Sequence, residues 1–327
     1  MRLPDLPRFP VLAGPSPLMP ARRFADALGG GFELWFKRED LLPVAFGGNK
    51  LRNLEYLVGA AVAAGAETLV TSGRRWSNHC RLTAAVGALA GLDVHLVLSG
   101  PPPPGGEGPN ARMALLLGAS IHQLGTADRA ERQAAVDRLV ADLTAAGRSP
   151  HVIPVGGSSL VGALGQVRAG LELAEQMRAW PSPAELVVLP SATGGTQAGV
   201  LIGLRGAGMS SRVVGVAVAR PAAEVRPALE SIVSELSTKI GITPPAGRIE
   251  LDDSFMGGGY GVRSAAAEEA AALMARTEAV LVDPIYTAKA LAWVVAAARS
   301  GEIAGRRVVF WHAGGTLGIL EPLEEPR

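Results

Sequence analysis

The chain has 327 residues, 48% hydrophobic and 19% charged, with a formal net charge of +1, a composition that excludes a disordered chain, argues against a polyanion partner and leaves room for two α/β domains. A single cysteine, Cys80, excludes an internal disulfide and a multi-cysteine metal site, and His79, His95, His122, His151 and His312 lack the short helical spacing that would pair two metal ligands. Residues 1–17 are broken by prolines and an acid, and apolar stretches such as 82–92 are too short for a bilayer, so neither a secretory leader nor a membrane partner is expected and a cytoplasmic protein follows.

In chain order, short β-branched or apolar runs bounded by turn residues predict strands over 32–37, 68–72, 93–99, 120–123, 151–154, 185–189, 213–219 and 307–311. Between them, Ala, Leu, Glu and Arg at helical spacing predict helices over 51–64, 78–90, 108–117, 127–146, 160–179, 197–206, 223–239, 264–276 and 286–299. Parallel strands need crossover connections, so the alternation predicts an α/β fold of open, mostly parallel twisted sheets with helices on both faces. The arginines around 129–138 are interspersed with Asp and Glu and read as a solvated helix face, not a nucleic-acid patch. The run PPPPGGEG at 101–108 reads as a surface loop, since prolines cannot continue a ladder.

Ligands in such folds bind beyond the carboxyl ends of the strands. The loop SATGGT at 191–196 joins a predicted strand to a predicted helix, and its glycines let backbone N–H groups converge on a phosphate at the helix start. It lacks the Gly-Lys-Ser/Thr of a Walker loop and the G-x-G-x-x-G of a dinucleotide fingerprint. A glycine turn closing a strand-to-helix joint is its plain structural alternative. Only Lys37, Lys50, Lys239 and Lys289 are available to hold an aldehyde cofactor as a Schiff base. Lys37 sits among Arg38, Glu39 and Asp40 and reads as ion-paired, while Lys239 and Lys289 fall within helices and read as solvated. Lys50 follows the turn FGGN (46–49) and opens a helix, where the positive helix end and desolvation favour a neutral, nucleophilic amine.

The segments KREDLLPVAFGGNKLRNLEYL (37–57), SNHCR (77–81), GGTQAG (194–199), GGYGV (258–262), DPIYTAKA (283–290) and HAGG (312–315) occur in one order across nearly the whole chain. Together they resemble the D-cysteine desulfhydrase and 1-aminocyclopropane-1-carboxylate (ACC) deaminase family. The resemblance implies a tryptophan-synthase-β-like fold, pyridoxal 5'-phosphate as cofactor, a small amino acid as substrate and a homodimer. It also implies a large domain from 1–47 and 160–327 and a small one from 48–159, with the cofactor between them.

Carried over residue by residue, the resemblance makes Lys50 the Schiff-base lysine and places Thr193, Gly194, Gly195 and Thr196 around the cofactor phosphate. Ser77, Asn78 and His79 would receive the substrate carboxylate at a helix start, Asn78 also touching the cofactor's ring oxygen. Ser77 stands open between a proton-transfer or nucleophilic role and a simple N-cap. Tyr260 and Tyr286 match two tyrosines near the ring and substrate, although a buried tyrosine also suits a core. Thr287 matches the partner of the pyridine nitrogen, where deaminases of the family carry glutamate; a hydroxyl makes the ring a weaker electron sink and favours β-elimination over opening a cyclopropane.

Two departures bear on the substrate. Arg74, Arg75 and Trp76 replace the family's small, aliphatic and glutamine residues, so Trp76 is a candidate substrate contact, and the arginines either pair with an extra anionic group or form surface ion pairs. Ala313 stands where desulfhydrases carry Thr and deaminases Leu. The expected reaction is α,β-elimination of D-cysteine to pyruvate, sulfide and ammonia, with Lys50 as base. Alternatives are ACC deamination, another elimination, replacement or racemisation on a larger or anionic amino acid, and a non-catalytic phosphate- or nucleotide-binding protein. Cys80 reads as a packing residue.

Overall fold

The computed structural model describes residues 3–100 and 106–321, so most of the proline run at 101–108 lies outside the described residues. Their strands are β1 (Leu18–Pro20), β2 (Glu33–Arg38), β3 (Thr68–Arg74), β4 (Asp93–Ser99), β5 (Ser120–Leu124), β6 (Pro150–Val152), β7 (Leu186–Ser191), β8 (Arg212–Ala217), β9 (Leu251–Asp252) and β10 (Arg307–His312). Their α-helices are α1 (Arg22–Ala27), α2 (Lys50–Ala63), α3 (Asn78–Ala90), α4 (Pro109–Leu116), α5 (Arg129–Ala145), α6 (Leu160–Met177), α7 (Gly195–Gly206), α8 (Ala222–Ile240), α9 (Ala265–Glu278) and α10 (Thr287–Arg299). Every expected strand and helix forms, with ends shifted by a few residues. Strands β1 and β9 and helix α1 were not expected, because two- and three-residue edge strands carry no readable alternation.

Two sheets result. One has the order β1-β2-β10-β7-β8-β9 and is parallel except where β1 pairs antiparallel with β2; the other, β5-β4-β3-β6, is parallel throughout. Every residue of β7 is buried, as expected of a central parallel strand covered on both faces. Along β10, Val308 and Phe310 face a core that includes Leu291 and Trp293 of α10, whereas Val309 and Trp311 face the core beneath α6 and α7. A third core, including Leu54, Leu69, Leu82 and Leu96, fills the space between α2, α3 and the smaller sheet. Helices α6 and α7 approach closely at Gly203, where an added Cβ would fall 2.3 Å from the Val167 carbonyl oxygen.

A buried charge network locks α2 to this frame. Arg52 holds Glu39 through Nε and Nη2 at 2.6 and 2.7 Å and Glu172 through Nη1 and Nη2 at 2.8 and 2.9 Å. Lys37 also bonds Glu172, and its amine donates to Gln176 Oε1 and to the Ser16 carbonyl, both at 2.8 Å. Its ion-pair partner therefore comes from distant α6, not from the flanking acids. Lys289 is likewise not solvated: its amine donates to the Met256 and Gly259 carbonyls at 2.7 and 2.6 Å. Among the described residues, no helix is long and apolar enough to cross a membrane.

Candidate active site

The carboxyl ends of β3, β7, β8 and β10 converge on a cavity of about 470 Å³. Lys50 reaches it from the first position of α2, after a turn in which Gly47 and Gly48 take φ of 62° and 125°. An added Cβ on Gly47 would lie 2.4 Å from the Asp40 carbonyl oxygen, so only glycine fits there. The turn is tied down by Asn49 N–H donating to Ala313 O at 2.9 Å, Asn49 Nδ2 to Thr196 Oγ1 at 2.8 Å and Gln166 Nε2 to Asn49 O at 2.8 Å. Lys50 itself has no hydrogen-bond or ion-pair partner among the described residues, and burial pushes its pKa down to about 8.

Across the cavity, β7 runs into the loop 191–196. Gly194 is left-handed at φ 85° and caps α7, whose first-turn N–H groups have no intrahelical partner. Thr193 Oγ1 hydrogen-bonds Ser158 Oγ, fixing the loop from the α6 side. Thr193, Gly194 and Thr196 line the cavity; Gly195 instead backs onto Ser158, whose Oγ an added Cβ would approach to 2.7 Å.

Ser77 caps α3, accepting from Cys80 N–H at 3.2 Å, a bond that leaves its hydroxyl proton free. Asn78 and His79 follow in the same wall. Thr71 Oγ1 donates its one proton to the Ile153 carbonyl at 2.8 Å, so its 3.0 Å contact with His79 must be Nε2–H donating to the hydroxyl. His79 Nδ1 is then a bare acceptor, and it has no hydrogen-bond partner. Burial, and next the Lys50 charge, lower the His79 pKa to about 3, so the ring stays neutral.

The third wall is α10 with the 256–261 loop. The Tyr260 and Tyr286 hydroxyls are hydrogen-bonded to each other, and burial raises both pKa values, keeping both phenols protonated. Thr287 Oγ1 contacts Asp283 Oδ2 and, at 3.0 Å, Gly314 O. Asp283 also accepts from the N–H groups of Ile285, Tyr286 and Thr287 at 3.0, 2.7 and 3.1 Å, and burial raises its pKa to about 6. Both of Thr287's partners accept, so its proton points away and its oxygen keeps a lone pair for a donor in the cavity.

Of the residues singled out from sequence, Lys50, Ser77, Asn78, His79, Thr193, Gly194, Thr196, Tyr260, Tyr286, Thr287 and Ala313 line the cavity together. Trp76 does not. It is fully buried behind Tyr260, ring centroids 5.5 Å apart, against Gly261, and so acts through packing. Arg75 also stays out of the wall, its guanidinium 4.4 Å from the Trp76 ring centroid. The sequence reading missed Asp283, although an Asp-Pro pair before a helix is a cap signal. Arg129 and Arg132 read as solvated from sequence; Arg129 is indeed exposed and Arg132 half-buried, and both line the cavity.

The fit to a phosphate-bearing aldehyde is direct. An uncompensated amine faces a helix N-terminus whose N–H groups are free, and buried Ser191 Oγ in the same wall lacks a hydrogen-bond partner. Comparison with known proteins gives the same answer. Residues 11–314 match the family described as pyridoxal-phosphate dependent enzyme. The chain is 37% identical over 326 residues to the D-cysteine desulfhydrase of Yersinia pestis (strain Pestoides F), covering 98% of this chain and 97% of that one. It is 38% identical over 327 residues to the D-cysteine desulfhydrase of Salmonella choleraesuis (strain SC-B67), covering 97% of each. A crystal structure of an ACC deaminase homologue superposes with a TM-score of 0.89 at 31% identity, over 97% of this chain and 94% of that one. A pyridoxal 5'-phosphate-dependent aspartate racemase, at TM-score 0.66 and 15% identity over 92% and 90% of the two chains, shares the fold.

Proposed function

Because the chain belongs to the pyridoxal-phosphate dependent enzyme family, we propose that it is a lyase that eliminates sulfide from D-cysteine, giving pyruvate and ammonia. The observation that carries this is the unpartnered Lys50 amine facing the 193–196 loop across one cavity. Bound there, the cofactor supplies an electron sink for the bond broken at Cα. Lys50 would hold its aldehyde carbon, the N–H groups at the start of α7 its phosphate, Thr287 its ring nitrogen and Asn78 its ring oxygen. The N–H groups at the start of α3 suit the substrate carboxylate. With the cofactor and substrate bound, Lys50 would be the base that takes the Cα proton, its pKa near 8 matching that task at neutral pH. One water is consumed and D-cysteine gives pyruvate, ammonia and sulfide, the sulfur leaving with the C–S bonding pair and a proton returning to Cβ. Tyr260 and Tyr286 are both protonated, and since one phenol donates to the other, the remaining phenol proton would serve an anionic leaving group.

ACC deamination is the second reading, supported by the ACC deaminase homologue. The neutral hydroxyl of Thr287 argues against it, since a carboxylate there would make a stronger sink. We further assign a large domain to 1–47 and 160–327 and a small one to 48–159, in keeping with the separate origins of the two sheets, and read the protein as a cytoplasmic homodimer. The test is the visible absorption of purified protein before and after D-cysteine, with Lys50→Ala as control. A band that Lys50→Ala lacks and D-cysteine perturbs, with sulfide and pyruvate appearing, is expected; a colourless protein that stays so after pyridoxal 5'-phosphate is added overturns the proposal.

A further inference from the structure

The charge of the cavity is one-sided. Arg74, Arg129, Arg132, Arg220 and Lys50 are among its lining residues, and no aspartate or glutamate is, among the described residues. The guanidiniums arrive from separate elements: Arg74 ends β3, Arg129 and Arg132 open α5, and Arg220 follows β8. Arg74 Nε is buried without a hydrogen-bond partner, and its Cζ lies 5.2 Å from the Trp76 ring centroid and 5.8 Å from that of Tyr260. These two rings hold it beside the Ser77–His79 turn. Arg132 is steadied by Nη1 donating to Ser99 Oγ at 3.0 Å, and Arg220 by Nη2 donating to Ala192 O at 3.2 Å. Of the four, Arg129 meets a carboxylate, Glu224 at 3.4 Å, in a pair exposed on both sides and therefore weak. Burial lowers the pKa of Arg132 and of Arg220; neighbouring arginines also lower both, against Cys80 and Tyr260 at Arg132 and Glu224 at Arg220, so the cations repel one another. With one exposed carboxylate, Glu224, at their edge, the partly desolvated Arg132 and Arg220 sit among like charges, an arrangement that is unfavourable until an anion joins them.

We infer that the cavity is shaped for an amino acid whose side chain carries a second anionic group, a carboxylate, sulfonate or phosphate, received by Arg74 and Arg132 with Arg129 and Arg220 beside them. This rests on the proposed reading for the cofactor and carboxylate sites, the α3 N-terminus taking the α-carboxylate and the 193–196 loop the cofactor phosphate, and it names a substrate class beyond D-cysteine, whose side chain carries no second anionic group. Arg220 bonds that loop through Ala192, so the cofactor phosphate is its rival ligand. Arg74 and Arg132 belong to the smaller sheet and its helices, and they carry the assignment.

The test is calorimetric titration of cofactor-loaded protein with succinate, sulfoacetate and butyrate, none of which has an amino group to react. At low ionic strength the two dianions should bind at least about tenfold more tightly than butyrate, because charge-assisted guanidinium bonds to the second anionic group are gained. In Arg74→Gln and Arg132→Gln that preference should fall below about threefold, and Arg132→Lys should keep part of it. Equal affinities in the wild type overturn the inference, as does a preference that survives in variants that fold and load with cofactor. A variant that loses cofactor but keeps the preference assigns its arginine to the cofactor phosphate and also overturns it. Should a variant fail to fold, the wild-type preference and its weakening at about 0.5 M salt decide. The cofactor band and pyruvate release from D-cysteine, recorded on the same sample, test the proposed function separately: both present with equal affinities sinks only the inference, and no band sinks the function.

Discussion

Lys50 should be the one lysine that captures an aldehyde near neutral pH, and the structure sets the size of the effect. Burial without a compensating partner lowers its pKa from 10.5 to about 8. Each unit is tenfold in the free-amine fraction, so at neutral pH that fraction rises roughly 300-fold over an ordinary lysine. Water in the open cavity screens part of this, and a rate advantage of at least about 30-fold is expected. The chain has four lysines, so the comparison is internal. Lys37 is held by Glu172, Gln176 and Ser16, and Lys289 by two carbonyls, although burial lowers the pKa of Lys289 to about 8 as well. Cofactor-free protein would be mixed with pyridoxal 5'-phosphate across a pH series, trapped with borohydride and mapped by peptide mass. Modification at Lys50 with an inflection near pH 8 is expected. The sign for stability follows: between pH 8 and 10.5 the unfolded chain binds the extra proton, so cofactor-free protein gains stability as pH rises through that window. Labelling dominated by Lys289, or a Lys50 inflection above pH 10, would refute the reasoning.

Two further substitutions test the frame around the site. Gly314 has φ of 99°, and an added Cβ would lie 2.5 Å from Gly48 Cα, so Gly314→Ala should cost about 2 kcal/mol or more through strain and collision; it should also displace the Lys50 turn, read as weaker cofactor retention at unchanged secondary structure. Arg52→Ala leaves fully buried Glu39 without its cation and should cost about 3–5 kcal/mol in urea unfolding, whereas a loss under about 1 kcal/mol would show the network to be dispensable.

Much of this molecule is readable from local pattern. The apolar run that opens β7 and the Ala- and Leu-rich helices declare themselves because burial on both faces of a parallel sheet forces continuous hydrophobic runs. Lys50 and the 193–196 loop are readable for a related reason: a glycine turn feeding a helix start is a local device for presenting an amine or binding a phosphate, and both lie within single short segments.

What joins segments far apart is not written in any of them. Lys37 stands beside three charged neighbours yet pairs with Glu172 across 135 residues, because β2 points its amine under α6. His95 and His122, distant in sequence, meet at 2.9 Å through the register of β4 and β5. Trp76 adjoins the Ser77–His79 turn yet backs the cavity instead of lining it, since Tyr260 arrives from another element to cover it. Arg129 and Arg132 look solvated by composition, but the position of α5 turns them toward the cavity. Sequence by itself determined the longer elements, the fold class and the local devices for amine and phosphate, because those depend on neighbours within a few residues. Which side chains share the cavity, and so the charge a substrate meets, was decided by tertiary structure alone, because the packing of two sheets sets distances that no spacing along the chain encodes.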